Sequence, residues 1–255
     1  MSVRRDSILR EMGLTPVWRV RARDAAIEPP RTAEEPSAPV VPPTPADPLP
    51  PPVVRPSAPL SEARVDRIAQ LGWDALETEI AACSACRLCE QRQRAVPGMG
   101  DRQAQVMFVG EGPGGEEDRR GLPFVGAAGK LLDAMLAAIG LTREQGVYIA
   151  NTVKCRPPHN RTPQADEMTA CRPYLDRQIA LVQPRLLVAL GRPAAQVLLN
   201  QPEVRINAAR GRILDHAGTA VLVTYHPAYL LRNQADKARA WEDLCRIRRV
   251  LDGTS

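Results

Sequence analysis

The chain has 255 residues, 44% of them hydrophobic and 25% charged, enough apolar surface for a domain with a proper core. No apolar run approaches a membrane span and the N-terminus lacks the apolar core of a signal peptide, so no contact with a membrane is expected and the expected compartment is the cytoplasm. The formal net charge of +5 leans toward nucleic acid, and six cysteines in a reducing compartment argue for metal, catalysis or burial over a disulfide framework.

Residues 1–24 form a basic segment with Arg4, Arg5, Arg10 and Arg19 among Ile8, Leu9 and Trp18. It has room for a short helix over Ser7–Leu14 and reads as a frayed terminus, with docking on an unidentified protein partner as the alternative. Thirteen of the 25 prolines fall between Pro29 and Pro59, so residues 25–60 are expected to be a disordered Pro/Ala-rich linker. The globular domain is then 61–255.

Ser61 can cap a helix carrying Val65, Ile68 and Leu71, and Trp73, Leu76 and Ile80 continue the helical spacing up to Cys83-Ser84-Ala85-Cys86-Arg87-Leu88-Cys89. Val106–Val109 is a short apolar run of the kind that forms a buried parallel strand. It stops in Gly110-Glu111-Gly112-Pro113-Gly114-Gly115, followed by three acidic residues and Gly121-Leu122-Pro123-Phe124-Val125-Gly126. A helix over Gly126–Ile139 follows. A second strand, Val147–Ile149, delivers Asn151 and then Lys154–Pro163. Thr162-Pro163 starts a helix carrying Cys171. Further strands at Arg185–Leu190 and Val221–Thr224, helices at Pro193–Leu199 and Lys237–Leu251, and Tyr225-His226-Pro227 after the last strand complete the pattern. Alternating strands and helices predict an α/β chain: a three-layer α/β/α sandwich around a central, mainly parallel, four-stranded sheet. Each strand ends in polar or unusual residues, and open α/β sheets bind ligands at that edge.

Cys83 and Cys86 have the spacing that lets two sulfurs of one loop reach the same metal, and Cys155 and Cys171 complete a four-thiolate set. Zinc and a [4Fe–4S] cluster both accept it. Cys86 and Cys89 share the same spacing, so one of the first three is spare. Cys245, alone on the last helix, reads as a core residue. Read as a phosphate loop, Gly110–Gly115 lacks the Lys-Ser/Thr that such loops carry.

Gly110–Asp118, Gly121–Leu132, Asn151–Pro163 and His226–Arg232 together resemble the family 4, iron–sulfur branch of the uracil-DNA glycosylases. The resemblance runs from about Leu76 to Arg232. It implies a [4Fe–4S] cluster on Cys83, Cys86, Cys155 and Cys171, with zinc as runner-up and Cys89 as the extra. It implies a monomer acting on uracil-containing DNA, single- or double-stranded. In this reading Phe124 stacks on the flipped base, Gly112 borders it, and Asn151 pairs with its O4 and N3–H edge. His226 donates to O2 as charge develops there. The aspartate that positions water in the best-known branch of the superfamily falls at Gly112 here, which leaves Glu111, Glu117 and Asn160 as candidates, with Glu111 first. Asp118 could instead cap the next helix. Gly114 stands where a tyrosine would shield the pocket, which admits bulkier bases. Lys154, Arg156, Arg161 and Arg232 would meet phosphates, and Leu230 or Leu231 would fill the gap left by the base. His159 and His216 are expected to be peripheral. The missing aspartate keeps one alternative in view, a non-catalytic DNA-binding module that retains the metal cluster.

Overall fold

A computed structural model describes residues 61–253. The basic segment and the proline-rich linker of the sequence reading lie outside the described residues.

Helix α1, Glu62–Ala69, is capped by Ser61, whose side chain accepts from the Arg64 N–H at 3.3 Å. Helix α2, Trp73–Ala82, buries Leu76 and Ile80. These two helices pack with Ile68, Leu88, Val153 and Tyr174 into a cluster of their own, beside Cys155 and Cys171.

The sheet has six strands in the order β1-β3-β2-β4-β6-β5. Four of them, β2 (Val106–Gly110), β3 (Val147–Asn151), β4 (Leu186–Leu190) and β6 (Thr219–Thr224), are parallel. They include the four strands expected from the apolar runs. Two short antiparallel strands flank them: β1 (Met99–Gly100) on β3 and β5 (Leu214–His216) on β6. The expected sheet of four strands is therefore extended by one at each edge. Two and three residues are too short to show alternation. The β5–β6 hairpin turns on Ala217 and Gly218, both at positive φ (49° and 86°), as a two-residue turn of primed type needs. His216 thus ends β5, its Nδ1 2.6 Å from the Leu198 carbonyl.

All five residues of β2, β3 and β4 are buried, which explains why these strands read as unbroken apolar runs. Successive residues serve opposite cores. Met107, Val109, Leu187 and Ala189 face a layer built from α5 (Ala165–Val182) and α6 (Arg192–Leu199). Val106, Phe108, Leu186 and Val188 face α4 (Ala127–Ala138) and α9 (Lys237–Asp252). Burial of one such aliphatic side chain contributes about 1.5–3 kcal/mol, so this two-sided packing dominates the stability of the sandwich.

Parallel register brings the C-terminal ends of the four central strands to one edge: Gly110 lies opposite Asn151, and Leu190 opposite Thr224. Three short helices follow strand ends or approach them: α3 (Gly115–Arg120), α7 (Ile206–Ala209) and α8 (Pro227–Arg232). The acidic run after Gly110–Gly115 is α3, an element the sequence reading did not place, closed by Gly121 at φ 74°.

Candidate active site

At that edge lies a cleft of about 1220 Å³, lined by Glu111, Gly112, Phe124, Asn151, Asn160 and His226 among others. Its floor is made where two strands meet. A Cβ on Gly110 would lie 2.4 Å from Asn151 Oδ1 and 2.6 Å from Phe124 Cζ, so the amide and the ring are neighbours only because residue 110 has no side chain. Gly112 is required in the same way, since a Cβ there would sit 2.8 Å from Val153 Cγ2.

Phe124 is 5% exposed and sits at φ 53°, a strained setting for an aromatic residue. Two contacts hold it. Arg143 donates to the Phe124 carbonyl at 2.8 Å and to that of Pro123 at 3.3 Å. Gly129 of α4 lets the helix slide under the loop, for a Cβ there would be 1.8 Å from the Phe124 oxygen. The Phe124 ring tilts 32° against the His226 imidazole, with centroids 5.5 Å apart.

His226 caps α8, its Nδ1 accepting the Ala228 N–H at 3.1 Å. That bond fixes the tautomer: the ring hydrogen is on Nε2. Burial pushes the imidazole pKa down to about 4, and the Arg232 charge adds to the effect against the opposing pull of Glu117. At neutral pH it is an uncharged donor. Asn151 is 1% exposed and its Oδ1 has no hydrogen-bond partner among the described residues. A buried amide oxygen left unpaired beside a cleft is an acceptor without its usual partner.

The carboxylates separate cleanly. Glu111 lines the cleft, and burial raises its pKa against an opposing hydrogen bond from Thr162. Glu117 is spent on the backbone: one oxygen accepts from Val125 and Gly126 N–H at 2.9 Å each, the other from Gly114 N–H at 3.1 Å. It also occupies the space off Gly114, where a Cβ would be 2.7 Å from Glu117 Oε2, and Gly114 itself lines the cleft. Asp118, expected as a helix cap, is buried and accepts from the Gln93 N–H at 2.9 Å.

On the far side of β3, Cys83, Cys86, Cys89, Cys155 and Cys171 border one small internal void with Arg92 and Lys154. Arg92 donates to Cys155 Sγ at 3.0 Å and the Lys154 N–H to Cys171 Sγ at 3.3 Å. Burial pushes the Cys86 thiol up to about 11 and that of Cys171 to about 12. Among the described residues no three His, Cys, Asp or Glu side chains are grouped closely enough to hold a metal ion. The donor set is soft sulfur around a void, of the kind that zinc or an iron–sulfur group takes.

A family model, the uracil DNA glycosylase superfamily, matches residues 97–245, which carry every residue that lines the cleft. The chain belongs to that superfamily. Within it the chain groups with the type-4 members. It is 44% identical over 183 residues to a type-4 uracil-DNA glycosylase of Sulfurisphaera tokodaii, covering 69% of this chain and 83% of the relative. It is 45% identical over 161 residues to one of Thermotoga maritima, covering 63% and 83%. A type-5 uracil-DNA glycosylase of Thermus thermophilus is 32% identical over 188 residues, covering 59% of this chain and 85% of the relative.

The four family motifs meet as their sequence implied: Glu111, Gly112, Phe124, Asn151, Asn160, Arg161, His226 and Arg232 all line the cleft. The expectations for Lys154, Leu230 and Glu117 are corrected. Lys154 is 1% exposed under the sheet edge and cannot touch a phosphate. Leu230 is 1% exposed in the core against α4, which leaves Leu231, 39% exposed, as the leucine at the surface. Arg161 is clamped by both oxygens of Glu167, at 2.6 and 2.8 Å. Arg156 donates to Asn160 Oδ1 at 2.8 Å through Nε, one of its five N–H donors. Glu117, as above, is a loop clamp. The cleft also takes in Thr162, Arg192, Arg205, Asn207 and Tyr225, which carried no role in the sequence reading. Tyr225 donates to Asn207 Oδ1 at 2.7 Å. Its place directly before His226 was the available signal; residues 200–212 have no periodicity that would have announced theirs.

Proposed function

We propose that this chain excises uracil from DNA, hydrolysing the N-glycosidic bond to leave an abasic site and so beginning base-excision repair. The observation that carries the reading is the unpaired, buried Oδ1 of Asn151, a residue that lines the same cleft as Phe124 and a neutral His226. The family membership and the names of the type-4 relatives support it.

The base leaves the stack and enters the cleft, with Phe124 under its face. Asn151 accepts from N3–H through Oδ1 and donates to O4 through Nδ2; cytosine presents the opposite pattern at both atoms. As the N1–C1′ bond breaks, its electron pair moves into the ring and negative charge grows on O2. The Nε2–H of His226 meets that charge. With a pKa near 4 the ring stabilises the departing anion by hydrogen bonding, and the anion takes its proton from water. Glu111 faces the cationic sugar and orients the water that attacks C1′, and the proton released goes to solvent. Arg232, exposed at the end of α8, meets the DNA backbone. Leu231 fills the gap in the stack.

Cys83, Cys86, Cys155 and Cys171 would hold a [4Fe–4S] cluster, with Cys89 beside them. Bound there, the cluster would supply a structural clamp between α2, the strand end after β3 and α5. Hydrolysis needs no electron from it.

The test is incubation of iron-loaded protein with a uracil-containing oligonucleotide, followed by alkali. Strand breaks at the uracil position are expected. Intact strands at every protein concentration would sink the proposal.

A further inference from the structure

Asn151 is the last residue of β3, where the ladder ends, yet its amide has to be held to a fraction of an ångström to read a base. Lys154 meets that need. Its side chain is fully buried and turns back along its own segment, donating from Nζ to the Asn151 carbonyl at 2.8 Å and to Gln178 Oε1 at 2.6 Å. Gln178, also fully buried in α5, is fixed in turn, donating to the Pro97 carbonyl at 2.8 Å and the Tyr148 hydroxyl at 3.3 Å. The backbone of Lys154 belongs to the cysteine cage: its N–H points at Cys171 Sγ, its carbonyl accepts from the Val96 N–H at 2.8 Å, and Cys155 is the next residue. One five-residue segment thus joins the residue that reads the base to the thiols that hold the metal.

We propose that Lys154 is a positioning residue for base recognition, tying the Asn151 backbone, and with it the amide that reads the base, to the framework of the cysteine cage. Lys154 touches no part of the substrate and acts only through Asn151. The inference rests on the reading of Asn151 as the base-recognition residue.

Full-length, iron-loaded Lys154→Met, Asn151→Ala and the double variant separate the two. Three quantities are measured: iron per chain, affinity for an abasic-site oligonucleotide, and affinity for free uracil by calorimetry. Lys154→Met is expected to keep the first two and to bind uracil about tenfold more weakly, the scale of one hydrogen bond from a charged donor. In the Asn151→Ala background the same change is expected to cost nothing further. The inference is overturned if Lys154→Met leaves uracil affinity unchanged. It is overturned equally if the variant costs the same factor in both backgrounds, or lowers iron content and abasic-DNA affinity in parallel. Asn151→Ala binding uracil as the parent does would overturn the base-recognition reading and this inference with it. Gln178→Met removes one of the two acceptors that fix the ammonium and answers the same question if Lys154→Met does not fold. Weaker uracil binding at parental iron content is then expected, and unchanged uracil binding overturns the inference.

Discussion

At the scale of single residues, the chemistry divides between a neutral donor and a carboxylate. His226 is uncharged above about pH 4, so its titration does not touch the rate between mildly acidic and neutral pH. In the proposed reaction Glu111 acts as its anion, and burial raises its pKa above the usual carboxylate value. Activity is therefore complete above that raised pKa and falls as the pH drops through it. Glu111→Gln is expected to lower kcat by roughly a hundredfold and to flatten that acid limb. A limb near pH 6.5 that survives in Glu111→Gln would mean that His226 is titrating and would contradict the neutral-donor assignment.

At the scale of elements, the glycines decide where the site can form. Helix α4 reaches the loop beneath the stacking ring only because Gly129 has no side chain, and the φ of 53° at Phe124 is held by that contact and by Arg143. Gly129→Ala is expected to lower Tm by several degrees, for a cost of about 1–3 kcal/mol, and excision by at least about tenfold. Gly72→Ala, where a Cβ meets nothing within 4 Å, serves as the control. Parental melting and activity in Gly129→Ala would show that the loop does not depend on this approach. The elements that frame the site were legible because β2, β3, β4 and β6 announce themselves as apolar runs that end in glycine, asparagine or histidine. What escaped was decided by tertiary contact. Leu230 and Leu231 differ by one position on α8, and only packing against α4 says which is buried. Glu117 and Lys154 read as free charges because their partners, Val125 and Gly126 for one and Gln178 for the other, are set by the fold. Helix α3 hid in an acidic run with no apolar face.

At the scale of the molecule, the cleft and the cysteine cage are two sides of one strand end, and a buried carboxylate locks the segments around them. Glu167, fully buried in α5, accepts from Arg161, from Arg87 Nε at 2.9 Å and from the Gln164 N–H at 2.8 Å. Burial works to raise its pKa, but the two guanidinium groups and the N–H overcome it and hold it at about 2. Its folded-state value lies below its unfolded one, so its contribution is complete above the ordinary carboxylate range and lost as the pH falls toward 2. Glu167→Gln is expected to cost about 2 kcal/mol at neutral pH, and the gap from the parent to shrink in acid. A gap that stays constant between pH 7 and 3 in chemical denaturation would contradict the ion-pair account. The superfamily match covers the residues of the cleft, and the four motifs converge on that one sheet edge. The most direct test of the central claim is the rate at which free base is released from otherwise identical oligonucleotides carrying uracil or cytosine, by the parent protein and by Asn151→Ala. The account predicts one uracil released per site and no cytosine from the parent, with uracil release slowed about a hundredfold in Asn151→Ala. Release of uracil by Asn151→Ala at the parental rate would contradict it.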